Sequence, residues 1–379
     1  MVKLGIDRID DYLYLFEGKR VGLITNPTGL DSKHRSTIDI LNEKVNLVAL
    51  FSPEHGVRAD HQAGERFDSF VDQKTGIMAY SLYSKSKKPS KEMMDSVDIV
   101  CIDIQDPGSR FYTFIYTMAY VMIACKEYDK EFVVFDRPNP INGVDYEGNI
   151  LDMNYRSFIG YFPIVQRHGL TIAEVAKLFN EEYGIGCKLT CVLMENWDRN
   201  TYFNETGLMW VMPSPNLPTV EAAVTYNATC IFEGTNVEEG RGTTAPFQFV
   251  GAPYIDPYDY ADSLNSLNLE GVYFRPLYFT PTFSKYPNQL CGGVEVHVLD
   301  RKTFKPVKVG FAMLEIVRKM YPNDFTVDKP YKEGMKTMLQ YNTGCDYIQA
   351  GTYTLEEQFE IIEKDTKTFG EIRQKYLLY

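Results

Sequence analysis

The sequence predicts an α/β fold: an open, doubly wound, mostly parallel sheet followed by a smaller α+β unit. Three observations carry this. Short apolar, β-branched runs alternate with helical patterns through the first half of the chain, as expected of a parallel sheet covered by helices. Their order is β-α-β-α-β, that of an open doubly wound arrangement. After about Asn200 the alternation stops at a Pro-rich turn region (Pro213, Pro215, Pro218) and a polar loop at 233–246, and the last third has strands and helices of its own.

Taken in order, strands are expected at 20–25 (RVGLIT), 46–52 (NLVALFS), 98–104 (DIVCIDI), 131–136 (EFVVFD) and 188–194 (KLTCVLM). Helices are expected at 33–42, 90–97, 114–128 and 171–183. The last opens with Thr171 and Glu174 three positions on, a capping-box pattern. In the second unit, strands fall at 271–279 and 293–299 and helices at 307–320 and 355–376. With no internal repeat or flexible linker to mark a boundary, the chain divides into a larger unit at 1–253 and a smaller one at 254–379 that closes a cleft.

Composition narrows the function classes. A chain of 379 residues, 44% hydrophobic and 24% charged, is globular and long enough for a substantial core. Its 39 Lys and Arg against 51 Asp and Glu give a net charge of -12, which opposes a general role in holding nucleic acid or an anionic membrane surface. Any anionic ligand must be caught by local arginines. No stretch could span a bilayer, and the charged, amphipathic first segment lacks a signal-peptide run. Seven scattered cysteines read as buried, reduced thiols, which favours the cytoplasm; an exported protein shorn of its leader is the alternative. The 27 tyrosines suit a sugar-binding cleft as well as a core.

The expected strands end in dense polar clusters: Thr25 to Gly29 with Asn26; Ser52 to Arg58 with Glu54 and His55; Asp103 to Tyr112 with Asp106 and Arg110; and Asp136 to Pro140 with Arg137 and Asn139. Ligands bind beyond the carboxyl ends of the strands in open α/β sheets, so these clusters are expected to converge on one cleft. Glycoside hydrolysis needs a carboxylic acid to protonate the leaving oxygen and often a second carboxylate. Glu54 is the choice for the acid, since Pro53 and Gly56 fix its backbone and His55 and Arg58 give it partners; a loop carboxylate facing water is the competing reading. Asp103 and Asp106 compete with helix capping and ion pairing. His168 precedes a capped helix from which it could reach the cleft. Asn216 sits on a Pro-flanked loop, and Glu233, Glu239 and Arg241 on a Gly-rich one. Phosphate-loop, zinc-protease and nucleophile-elbow motifs are absent, and His55, Asp60 and His61 fit no standard metal spacing.

Seven motifs together, GLITNPTG (22–29), FSPEHG (51–56), DIQDPGSRFYT (103–113), DRPNP (136–140), RHGLT (167–171), PSPNLP (213–218) and FEGTNVEEGRGTTAPF (232–247), resemble the bacterial exo-β-N-acetylmuramidases in the same order. The resemblance implies a Rossmann-like domain, a smaller C-terminal domain and an interdomain cleft. It implies release of N-acetylmuramic acid from non-reducing ends of peptidoglycan fragments in cell-wall turnover, with no nucleotide cofactor. It makes Glu54 the catalytic glutamate, with Asp106, His168 and Glu239 as candidates for the second group. The lactyl carboxylate of muramic acid calls for a placed guanidinium, so Arg110, Arg137, Arg167 or Arg241 is expected to contact it. The alternative function is a non-catalytic binding protein for a muropeptide or amino sugar, using the same arginines and tyrosines.

Overall fold

The computed structural model describes residues 1–54, 56–58, 68–83 and 87–379. The first sheet has seven strands: β1 (Val21–Thr25), β2 (Leu47–Ser52), β3 (Phe70–Val71), β4 (Met78–Ser81), β5 (Ile99–Asp103), β6 (Glu131–Phe135) and β7 (Lys188–Val192), in the spatial order β3-β4-β2-β1-β5-β6-β7. All pairings are parallel except that of the edge strand β3 with β4. The chain starts at the middle strand, winds outward to β4, then returns to the other side of β1, which makes the sheet doubly wound about a switch point between β1 and β5. All five expected strands are present; β3 and β4 are additional.

Both faces of this sheet are covered. Leu23, Leu50, Cys101 and Val133 join one apolar cluster, and their chain neighbours Ile24, Phe51, Ile102 and Val134 join another. Successive side chains of a strand point to opposite faces, so strands buried on both sides read as unbroken apolar runs. The helices of this unit are α1 (Thr37–Lys44), α2 (Lys91–Asp95), α3 (Phe114–Glu127) and α4 (Ile172–Glu181). The capping box expected at Thr171 is formed: its hydroxyl accepts from the Glu174 amide and the Glu174 carboxylate accepts from the Thr171 amide.

The second unit begins earlier than the sequence pattern suggests. Helix α5 (Val220–Thr229) and strand β8 (Phe249–Ala252) pack into a core of their own with α6 (Pro257–Asn265), β9 (Val272–Phe279), β10 (Cys291–Val298) and α7 (Pro306–Met320). Its antiparallel sheet has the order β8-β10-β9, so the expected division at 253/254 passes between β8 and the rest of its sheet. The chain then forms the short α8 (Met338–Thr343) and α9 (Tyr347–Ala350) and the long α10 (Leu355–Arg373). The tail returns to the first unit: Arg373 donates to the carbonyls of Gly143 and Gly169, and the Tyr379 hydroxyl donates to Asp136 at 2.7 Å. All seven cysteines are free thiols, six of them buried. No helix among the described residues is long and apolar enough to cross a membrane.

Candidate active site

The polar clusters after β1, β5 and β6 do converge, but on one another. Asp103 accepts two hydrogen bonds from the Arg137 guanidinium, at 2.5 and 2.9 Å, and a third from the Thr37 hydroxyl. Arg137 also donates to the Leu30 carbonyl. The Asn26 side chain is held by Thr28, and Thr28 in turn accepts from the Gln105 amide. The crevice at the switch point is therefore filled by the chain's own buried polar side chains, each with a partner, as buried polar groups require.

Four further expected site residues are also internal. Arg110 is fully buried and donates to the carbonyls of Asn149, Ile164, Asn342 and Thr343, so it bridges the two units; burial pushes its pKa down to about 10. Arg167 donates to the Ile141 carbonyl and meets Asp145 and the Tyr202 hydroxyl. Asn139 ties Leu170 to Ile141. Asp136 accepts from the Ala173 amide at the start of α4 and from Tyr379; burial raises its pKa to about 7. Arg110, Arg137 and Arg167, expected to reach a ligand, spend donors here on buried carbonyls and on the Asp103 and Asp145 carboxylates, as buried acceptors require.

Asp106 and His168 form a buried pair, Nε2 to Oδ2 at 3.2 Å, and neither is among the residues lining the cleft described next. The Leu170 amide donates to His168 Nδ1, which puts the ring proton on Nε2, facing Asp106. Asn216 is buried, its amide donating to Ser214. Arg58 pairs in bidentate fashion with Asp72, away from the cleft lining. His55 lies outside the described residues, as do Asp60 and His61.

The cleft itself opens between the two units and has a volume of about 830 Å³. From the first unit it takes Glu54, Tyr83, Phe111, Tyr112 and Thr113; from the second, Glu233, Arg241, Glu239, Lys285 and the segment around Tyr331. Glu54 follows β2, half-buried, and its carboxylate accepts from the Thr113 hydroxyl at 2.8 Å at the start of α3. Burial, and next the Glu54 charge, hold the Tyr112 phenol well above its ordinary pKa.

The second unit contributes a chain of alternating charge. Arg241 donates through Nε to Glu239 at 2.9 Å and through Nη2 to Glu233, and its guanidinium lies over the Phe247 ring at 5.1 Å. Lys285 donates to the other Glu239 oxygen at 2.7 Å and to the carbonyls of Phe232 and Val237. Burial works against the Arg241 charge, but the two carboxylates outweigh it and raise its pKa. Next to the cleft wall, burial and then the Glu239 charge raise Glu238 to about 6. Lys285 sits on the connection between β9 and β10, which reaches back to this loop because Gly242, at φ +74°, leaves no side chain between them: a Cβ there would lie 2.6 Å from the Phe283 carbonyl oxygen. No motif or spacing in the sequence singles out Lys285, Tyr83 or Tyr331. Their place in the cleft comes from tertiary packing alone.

Two family models cover almost the entire chain. Residues 21–221 match the N-terminal model of the exo-β-N-acetylmuramidase NamZ, and residues 224–379 match its C-terminal model. The chain belongs to the NamZ exo-β-N-acetylmuramidase family. As a member of the NamZ family it is a glycosidase. It is 47% identical over 388 aligned positions to the peptidoglycan β-N-acetylmuramidase NamZ of Bacillus subtilis (strain 168), covering all of this chain and 91% of that protein. Two crystal structures of DUF1343 family proteins from Bacteroides fragilis NCTC 9343 share the fold, with TM-scores of 0.92 and 0.80 at 38% and 32% identity; each match covers all of this chain and 99% of the other. The two NamZ models meet at the start of α5, so Glu54 and Tyr112 fall in the N-terminal match and Glu233, Glu239, Arg241 and Lys285 in the C-terminal one.

Proposed function

We propose that the protein releases N-acetylmuramic acid from the non-reducing ends of peptidoglycan fragments, with Glu54 as general acid and base. The observation that carries this reading is the placement of Glu54 in the cleft between the units, oriented by Thr113, with the Glu233–Arg241–Glu239–Lys285 chain also in its lining. Glu54 gives its proton to the glycosidic oxygen as the bond from that oxygen to the anomeric carbon breaks; water then supplies hydroxide to the carbon and its proton to Glu54. Of the three candidates for a second group, Glu239 alone lines the cleft. Fixed by two cations, it is preorganised to face the positive charge that develops on the sugar ring.

Arg241 is the one arginine of the four expected that lines the cleft, and we assign it the lactyl carboxylate. Its Nε and Nη2 serve Glu239 and Glu233, while Nη1 makes no hydrogen bond among the described residues. The test is a chromogenic β-N-acetylmuramide beside the matching β-N-acetylglucosaminide. Release is expected from the muramide alone, with Glu54→Gln slower by roughly 10²–10⁴-fold, the usual worth of a positioned acid. Equal release from both sugars, or full activity in Glu54→Gln, refutes the reading.

A further inference from the structure

The cleft is larger than one amino sugar needs: about 830 Å³ lies near the top of the 300–1,000 Å³ range of small-molecule sites. Its lining also changes character from inside to outside. Inside, two partly exposed cations, Arg241 and Lys285, meet the buried carboxylate of Glu239, and Arg241 also meets the partly exposed Glu233. Outside, the wall is the segment 328–336, every residue of which is exposed, and its cleft-lining members are Asp328, Lys329, Tyr331, Met335 and Lys336. Tyr331 is 90% exposed, an aromatic side chain open to solvent.

This outer wall is tied to the inner site. The Asp328 amide donates to the carbonyl of Gly234, next to Glu233, and the segment ends at Thr337, whose hydroxyl caps α8 by accepting from the Gln340 amide. Between these anchors the Lys336 ammonium lies 4.9 Å from the centre of the Tyr155 ring. Lys329, Tyr331 and Lys336 therefore line the same cleft as Glu233. In a chain of net charge -12, two lysines against one aspartate here are a local reversal of sign.

Resting on the proposed exo-muramidase activity, we infer that segment 328–336 is a leaving-chain subsite, in which Tyr331 stacks on a sugar ring and Lys329 and Lys336 bind a carboxylate carried by the second sugar beyond the cleaved bond. Peptidoglycan glycan alternates a neutral amino sugar with one bearing a lactyl carboxylate. The leaving portion of such a chain therefore presents a neutral ring and then an anionic one. Stacking on an exposed aromatic and lysine to carboxylate attraction are the interactions this sequence of sugars can use.

The experiment compares kcat/KM for release of N-acetylmuramic acid from the disaccharide N-acetylmuramoyl-N-acetylglucosamine and from the tetrasaccharide made of two such units. A third substrate is the tetrasaccharide with its inner lactyl carboxylate converted to the amide. The wild type should prefer the acidic tetrasaccharide, and amidation or 0.5 M salt should remove the preference. The Lys329→Ala/Lys336→Ala double variant should lower the tetrasaccharide to disaccharide ratio roughly three- to tenfold, about what two exposed ion pairs supply. Tyr331→Ala should lower kcat/KM for the disaccharide and for both tetrasaccharides alike, because each presents the neutral ring on which Tyr331 stacks. Equal wild-type rates on disaccharide and tetrasaccharide, or a preference that survives amidation and the double variant, overturns the subsite while leaving the activity in place. Release of N-acetylmuramic acid from neither substrate overturns the activity and the subsite together.

Discussion

Replacing Arg137 by Ala should cost stability and leave sugar selectivity alone. Arg137 and Asp103 are a bidentate pair buried at the switch point, with side chains 6% and 0% exposed. Removing the guanidinium leaves the Asp103 carboxylate in a dry site with the Thr37 hydroxyl as its remaining side-chain donor. Breaking a buried pair from one side costs about 3–5 kcal/mol, chiefly the penalty of the stranded charge. At about 2.1 cal/mol/K per residue, 379 residues have an unfolding entropy of roughly 0.8 kcal/mol/K, so Tm should fall by about 4–6 °C if the chain unfolds as one. If the first unit melts alone, the drop should be about twice that. The Arg137→Ala/Asp103→Ala double variant should be more stable than Arg137→Ala, because it removes the stranded charge. Differential scanning calorimetry of the two variants beside the wild type reads all of this, and the muramide to glucosaminide rate ratio of Arg137→Ala reads selectivity. A Tm within 1 °C of wild type, a double variant no more stable than the single, or a collapsed rate ratio would refute the structural assignment.

Three further outcomes follow from the same structure. Arg241→Ala should reduce the muramide to glucosaminide ratio of kcat/KM by about tenfold or more, in keeping with a lost charge-assisted hydrogen bond, as read with the two chromogenic sugars. Asp136 has a folded pKa raised from 3.8 to about 7, so its contribution to stability is whole below pH 3.8 and is lost as the pH rises through 7, by at most about 4 kcal/mol. Urea melts at several pH values should show a shallower loss between pH 4 and 7 in Asp136→Asn than in the wild type. Gly310→Ala would place a Cβ 2.1 Å from the Ala228 carbonyl oxygen where α7 crosses α5, and the forced separation should cost about 1–3 kcal/mol in the same melts.

What the sequence revealed and what it hid follow from where each signal is stored. The central strands were legible because a strand buried on both faces must be an apolar run, and β1 and β5 are buried at every position. The capping box at Thr171 and Glu174 is a local contact and was read as such. Strands β3 and β4 were not, since Phe70–Val71 and Met78–Ser81 are too short and too mixed to stand out. Helix α5 was missed because it is buried nearly all round and shows no polar face; the Thr219 cap, which accepts from the Ala222 amide, was the available clue. In the site, Glu54, Tyr112, Glu233, Glu239 and Arg241 were named from strand-end and loop clusters and do line the cleft. The buried arginines looked the same in sequence, because nothing local distinguishes a guanidinium aimed at a ligand from one aimed at four carbonyls.

The returning tail bears on how the protein is made. Asp136 at the end of β6 receives its hydroxyl from Tyr379, the Glu174 carboxylate accepts from the Leu378 amide, and Glu182 accepts from the Tyr376 hydroxyl. Arg110 likewise waits for the carbonyls of α8. During synthesis the seven-stranded sheet emerges first, yet Asp136, Glu174 and Arg110 keep only part of their hydrogen bonds until α8 and the segment 376–379 have left the ribosome. The first unit is thus held short of its final state by the order in which the chain appears, and the segment 376–379 completes it. The cleft, which needs walls from both units, forms only once the segment around 328–342 has met the residues that follow β2 and β5.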